Sequence, residues 1–194
     1  MDNPYWYSKK ATHFIDKDRI TILCFEILNL FAASKNIALS LQDPYYEDDV
    51  FLNKDIDIED STHLKLFSMY GSKQISNLLI QIAILVRLFD DQTKTSKKSA
   101  KYIEHLNALN VQYTIGSYSE KNTFSLRDAC NKIIHCDTIR PIYDSLDGIS
   151  KNEPNFYYLS GSIELTGKEN RKKWTANLYL QCYIDLVMDL ICFK

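Results

Sequence analysis

Ile75-Ser-Asn-Leu-Leu-Ile-Gln-Ile-Ala-Ile-Leu-Val-Arg-Leu-Phe89 is the stretch whose reading decides the fold. Its apolar residues return every three or four positions, at Ile75, Leu78, Leu79, Ile82, Leu85, Val86 and Phe89, which is the spacing of one helical face. The pattern reaches back through Phe67 and Leu64 to Ser61, with a bend expected near Gly71. A helix this long and apolar is the candidate central helix of a core, and it needs partners on both sides.

Upstream, Asp18 to about Leu41 repeats the helical spacing through Ile22, Phe25, Ile27, Leu28 and Phe31, with a break expected near Ser34 to Asn36. Pro44 to Asp60 reads as an acidic loop anchored by Val50, Phe51 and Leu52. Downstream, a lysine-rich turn leads to a shorter helix from about Ser96 to Leu109, and Tyr113 to Ser117 reads as a short strand. After Cys136 the texture changes. Thr138 to Tyr143, Phe156 to Leu159, Ser162 to Leu165 and Lys173 to Leu178 read as short extended segments, punctuated by Gly161 and Gly167. Tyr179 to Phe193 returns to helical spacing. The chain therefore reads as mainly α, a helical bundle with a small antiparallel β-sheet inserted before the C-terminal helix. It reads as a single domain over residues 1–194, with the β-rich insertion at about 138–178.

Composition sets the outer bounds. The 194 residues suit one domain, and 45% hydrophobic with 25% charged residues is ordinary for a globular chain. The net charge of −2 asks for neither nucleic acid nor membrane, but it conceals patches. Asp43, Glu47, Asp48, Asp49, Asp55, Asp57, Glu59 and Asp60 form an acidic stretch, within 43–60, that suits a basic surface on a protein partner or a second copy. Lys94, Lys97, Lys98 and Lys101 fall at helical spacing and could track a phosphate backbone, or simply solvate the end of a helix. Lys168, Arg171, Lys172 and Lys173 beside Trp174 combine charge with a stacking surface, as single-strand binders do; the plainer reading is a basic hairpin turn with a half-buried Trp.

No run reaches the roughly 18 consecutive apolar residues of a membrane helix, and the opening Met1-Asp-Asn-Pro-Tyr-Trp-Tyr lacks the order of a secretory signal, so a cytoplasmic protein is expected. An exposed cluster at Tyr5, Trp6 and Tyr7 would suit a docking partner. The five cysteines include no C-x-x-C pair and read as small buried thiols. Asp55-Ile-Asp57-Ile-Glu59-Asp60 lacks the glycine and spacing of a calcium loop, and His13, His63 and His105 have no ligand spacing. No metal or other cofactor is expected.

The chemistry concentrates in Ser125-Leu-Arg-Asp-Ala-Cys-Asn-Lys-Ile-Ile-His135. Ser125 and Asp128 form a capping box, with Phe124 and Ala129 as its staple, so a helix starts at Ser125. Arg127, Asn131 and His135 then recur every fourth residue along one side. A cation at Arg127, the second helical position, faces the positive end of the helix dipole, so an anion beside it is expected: Asp128 or an anionic ligand. His135 is the side-chain type that titrates near neutrality. The set can hold a phosphate and move a proton; it can equally be a solvated helix flank or a structural hydrogen-bond network.

This helix resembles the signature of the HEPN superfamily, small helical bundles marked by an Arg, four to six residues and a His, often written R-N-x-x-x-H. Asn131-Lys-Ile-Ile-His135 matches the last five positions. Cys130 stands where the Arg would be, and seven residues separate Arg127 from His135. The resemblance implies a metal-independent endoribonuclease, commonly a homodimer with two motifs facing one another, of the kind frequent in toxin–antitoxin and phage-defence systems. His135 would be the general acid or base on the ribose hydroxyl and leaving oxygen, Arg127 would hold the scissile phosphate, and Asn131 would orient one of them. The competing reading is a non-catalytic helical interaction module, a subunit of a defence or regulatory complex binding protein or nucleic acid.

Overall fold

The structure, a computed structural model, describes residues 15–42, 62–119, 124–146 and 157–193. Helix α1 (Lys17–Gln42), α2 (Thr62–Lys94) and α3 (Ser99–Gln112) come first; strand β1 (Gly116–Tyr118) precedes α4 (Leu126–His135). Strands β2 (Thr138–Ser145), β3 (Tyr157–Glu169) and β4 (Lys172–Tyr179) then lead directly into α5 (Leu180–Ile191). The four strands form one antiparallel sheet in the order β1-β4-β3-β2. The chain is thus mainly helical, with a small antiparallel sheet ahead of its last helix. One strand of that sheet, β1, is contributed from before α4.

The helices form where the apolar spacing put them. Ile75, Leu78, Leu79, Ile82 and Val86 of α2 are buried and pack with Ile20, Leu23 and Ile27 of α1 and with Tyr183, Leu186, Val187 and Leu190 of α5. Helix α1 runs through Ser34 to Asn36 without a break, because Ser34 is buried and its hydroxyl accepts a hydrogen bond from the backbone N–H of Leu159 in β3 at 3.0 Å. A polar residue there ties the helix to the sheet. At the other end of α1, the Lys17 ammonium donates to the backbone carbonyls of Ile191 (2.5 Å) and Phe193 (3.3 Å), carbonyls that the end of α5 leaves unpaired. By length and composition α1 is apolar enough to cross a membrane even though Glu26 and Asn29 interrupt its apolar run.

The sheet corrects the sequence reading at two places. Phe156 to Leu159 and Ser162 to Leu165 are not separate strands: β3 is one thirteen-residue strand running through Gly161, which takes a φ of +89°. Gly167 also lies inside β3. A Cβ there would sit 2.4 Å from the Trp174 ring, so the glycine marks a close approach of the indole rather than a turn. The real turn is Asn170-Arg171, whose φ values of 50° and 67° make a two-residue hairpin loop of the primed type. Trp174 is 3% exposed, buried rather than half-buried.

Candidate functional site

Helix α4 is built as its sequence predicts. The Ser125 hydroxyl accepts from the Asp128 N–H (3.2 Å) and donates to the Asp128 carboxylate (2.6 Å), while Asn110 of α3 accepts the N–H of Leu126 through its side-chain oxygen (2.9 Å). Leu126, Ala129, Cys130 and Ile133 face the core. The two polar flanks of the helix meet different surroundings.

On one flank, Arg127 is spoken for. Its Nη1 donates to Asp90 at 2.6 Å and to Asp91 at 2.7 Å, both near the end of α2. Asp90, 3% exposed, also accepts from the Lys94 ammonium (2.8 Å) and the Tyr102 hydroxyl (3.0 Å). The anion expected beside a cation at the start of a helix is therefore a pair of carboxylates from the neighbouring helix, not a ligand. The crevice lined by Arg127, Asp90, Arg87, Leu106 and Cys130 holds about 10 Å³, too little for a phosphate.

The same network is pH-sensitive. The hydrogen bond from Arg127 is the chief cause that holds the Asp91 carboxyl below its ordinary value of 3.8. A depressed folded pKa contributes stability that is complete above the unfolded value and is lost as pH falls through the folded one. Asp91→Asn is thus expected to flatten the fall of stability below about pH 4, read as urea midpoints from pH 5 to pH 2. An unchanged slope would show that the ion pair adds nothing to acid sensitivity.

On the other flank, Asn131 and His135 line an open groove of about 660 Å³ with Asp128, Lys132, Tyr118 of β1, Lys168 and Glu169 of β3, and Trp174 of β4. His135 is exposed and Asn131 partly so. The structure brings Asn131 and His135 together and leaves Arg127 out. Cys130, in the position the HEPN pattern gives to its Arg, is fully buried with its Sγ 3.6 Å from the Tyr183 hydroxyl, and burial pushes its thiol up to about 12. That position faces the core, so it cannot serve the groove.

The groove also holds a cation that sequence spacing does not single out. The Lys132 ammonium sits 4.6 Å from the centre of the Tyr118 ring and 4.4 Å from that of Trp174, and is 2.7 Å from a Glu169 carboxylate oxygen. Lys132 as a whole is only 9% exposed. Burial pulls its pKa down, but the Glu169 carboxylate and the Tyr118 hydroxyl outweigh it and hold the pKa above the ordinary lysine value. The signal in the sequence was an aromatic on each of two strands and a lysine one residue after Asn131, which only tertiary structure connects.

The remaining candidates lie as follows. Lys168, Arg171, Lys172 and Lys173 are exposed along the β3–β4 hairpin beside the groove. Lys94, Lys97, Lys98 and Lys101 do not share one helical face: Lys94 ends α2 bound to Asp90, Lys97 and Lys98 lie in the turn, and Lys101 is in α3. Lys94 is thereby removed from any phosphate-tracking row. Cys24 and Cys130 are buried, Cys136 and Cys182 partly so, and Cys192 is exposed, so the buried-thiol reading holds for some of the five. His105 stacks on Phe193. The acidic segment 43–60, the Tyr5–Tyr7 cluster and His13 lie outside the described residues, as does the side chain of His63. Among the described residues no cluster of three or more His, Cys, Asp or Glu is placed to hold a metal ion. No family model, curated protein or solved structure matches the chain.

Proposed function

We propose that the protein is a non-catalytic RNA-binding module, whose binding surface is the groove between α4 and the β3–β4 hairpin. The observation that carries this reading is the grouping of Asn131, Lys132, His135 and Lys168 in one open groove, beside a hairpin that carries the exposed cations Arg171, Lys172 and Lys173. Single strands bind where cations track the backbone beside groups that can hydrogen-bond or stack on bases.

The HEPN-like endoribonuclease is the second reading, favoured by the exposure of His135 beside Asn131. It would have to use Lys132 as its phosphate cation, since Arg127 is held by Asp90 and Asp91. His135 would take the 2′-hydroxyl proton, the 2′-oxygen would attack phosphorus, and the 5′-oxygen would leave with a proton, giving a cyclic phosphate end.

One set of measurements tests both. Single-stranded RNA should bind with an affinity that falls as salt rises. Replacing Arg171, Lys172 and Lys173 together with Gln should weaken binding about tenfold at low salt and reduce the slope of log K against log salt by about two. Absent or salt-independent binding would sink the reading. RNA cut without added metal by the wild type, and not by His135→Ala, would move the conclusion to the endoribonuclease.

A further inference from the structure

We infer that Lys168 and Lys173, directly opposite each other across β3 and β4, form a two-point clamp for one phosphate, and that the bound RNA strand therefore passes from the α4 groove round the end of the hairpin to the outer face of the sheet. The identity of the strand rests on the RNA reading above; the clamp itself does not.

The register brings the two side chains together. Gly167 pairs with Trp174 and both are buried, so by strand alternation the next pair, Lys168 and Lys173, stands on the opposite, solvent-facing side of the sheet. Residues directly opposite on one face have Cβ atoms about 4.5–5.5 Å apart, so two flexible lysine stems reach a shared ligand. Like charges so placed repel each other and destabilise the hairpin. The neighbouring pair, Glu169 and Lys172, has opposite signs, as has Arg140 with Glu164 across β2 and β3. Lys168 and Lys173 break that pattern.

Among the described residues neither ammonium is paired with a carboxylate. Glu164, on the same face of the sheet, holds Arg140 at 2.8 Å, and Glu169, on the other face, holds Lys132 at 2.7 Å. Both lysines of the clamp are exposed, so an anion can enter between them, relieve their repulsion and gain two charge-assisted hydrogen bonds at once. Thr175 lies two residues beyond Lys173 on the same face, also exposed, where its hydroxyl can donate to a further phosphate oxygen. Lys168 also borders the α4 groove, which puts the clamp where a strand leaving the groove would round the hairpin.

The clamp predicts that stability and binding move in opposite directions. Urea midpoints of the free full chain are compared with its affinity for a labelled oligouridine of about ten nucleotides. Lys173→Glu sets opposite charges across the strands, so it should raise the midpoint at low salt, by an amount that shrinks at about 1 M salt, while weakening oligouridine binding at least about tenfold. Lys65→Glu, which makes the same change of charge at an exposed position on α2, should alter binding less than about twofold. Lys168→Gln and Lys173→Gln should each weaken binding, and the double variant should lose less than the sum of the two, because a phosphate relieves their repulsion only when both are present. A midpoint that falls or stays put in Lys173→Glu, or single losses that simply add, overturns the clamp and leaves RNA binding to the groove. If the wild type binds no oligouridine, the RNA reading falls, and inorganic pyrophosphate decides the clamp: it should shift the amide resonances of Thr166 and Thr175 in the wild type but not in Lys173→Glu, and an absence of shifts in the wild type overturns it.

Discussion

Asp90→Ala is expected to lower stability by about 2–4 kcal/mol, roughly 10 °C in thermal midpoint for a chain of this size. The carboxylate is buried and accepts from Arg127, Lys94 and Tyr102, so its removal strands one cation and a buried hydroxyl and leaves Arg127 with Asp91 alone, where α2, α3 and α4 meet. The cost stays below that of a fully buried pair because Arg127 and Lys94 keep 41% and 30% of their side chains in solvent and can be hydrated there. Asp91→Ala is the contrast: half exposed, it should cost under about 1 kcal/mol. Equal losses in the two variants, measured by urea unfolding, would contradict the central place given to Asp90.

Gly116→Ala is the other large expected effect, about 3 kcal/mol or more. Gly116 opens β1 opposite Leu178 with φ +152°, and a Cβ there would fall 2.0 Å from the backbone oxygen of Asn177. No side-chain rearrangement relieves a clash with backbone, so β1 must move off β4. That would carry Tyr118 away from Lys132, and Trp174 emission should change along with stability. Gly161→Ala provides the comparison. Its φ of +89° is unfavourable but the space is open, so only the backbone term of about 1–2 kcal/mol is expected. A mild Gly116→Ala, no worse than Gly161→Ala, would mean that β1 is not needed at the sheet edge.

The helices were legible because their burial repeats at a fixed spacing, and Leu78, Leu79, Ile82 and Val86 reveal it without any tertiary knowledge. The capping of α4 was legible for the same reason, since Ser125 and Asp128 interact within one turn. The unfavourable placement of Arg127 correctly demanded an anion. Its identity was hidden, because Asp90 and Asp91 lie on another helix and sequence spacing carries no information across that gap. Lys132 was passed over because a lysine between Asn131 and Ile133 looks like ordinary polar surface. Only the return of Tyr118 and Trp174 on separate strands makes it a clasped cation. In β3, Gly161 and Gly167 look like breaks between strands in the sequence because glycine usually punctuates; in the fold one sits in open space and the other makes room for an indole. The polar ladder on α4 was seen as one surface, yet the helix turns Arg127 to α2 and His135 to the groove, and a view of one helix cannot reveal which neighbour takes each flank.

Helix α1 is made well before its distant partners: its Ser34 hydroxyl waits for the N–H of Leu159, and its Lys17 ammonium waits for the carbonyls of Ile191 and Phe193. Throughout elongation its apolar face can be only partly sheltered by α2, so the nascent chain presents an oily helix that chaperones, or a nearby bilayer, can capture before α5 emerges. Tethers between segments so far apart in sequence thus make the joining of α1 to β3 and α5, rather than any local step, the event that commits α1 to its final place.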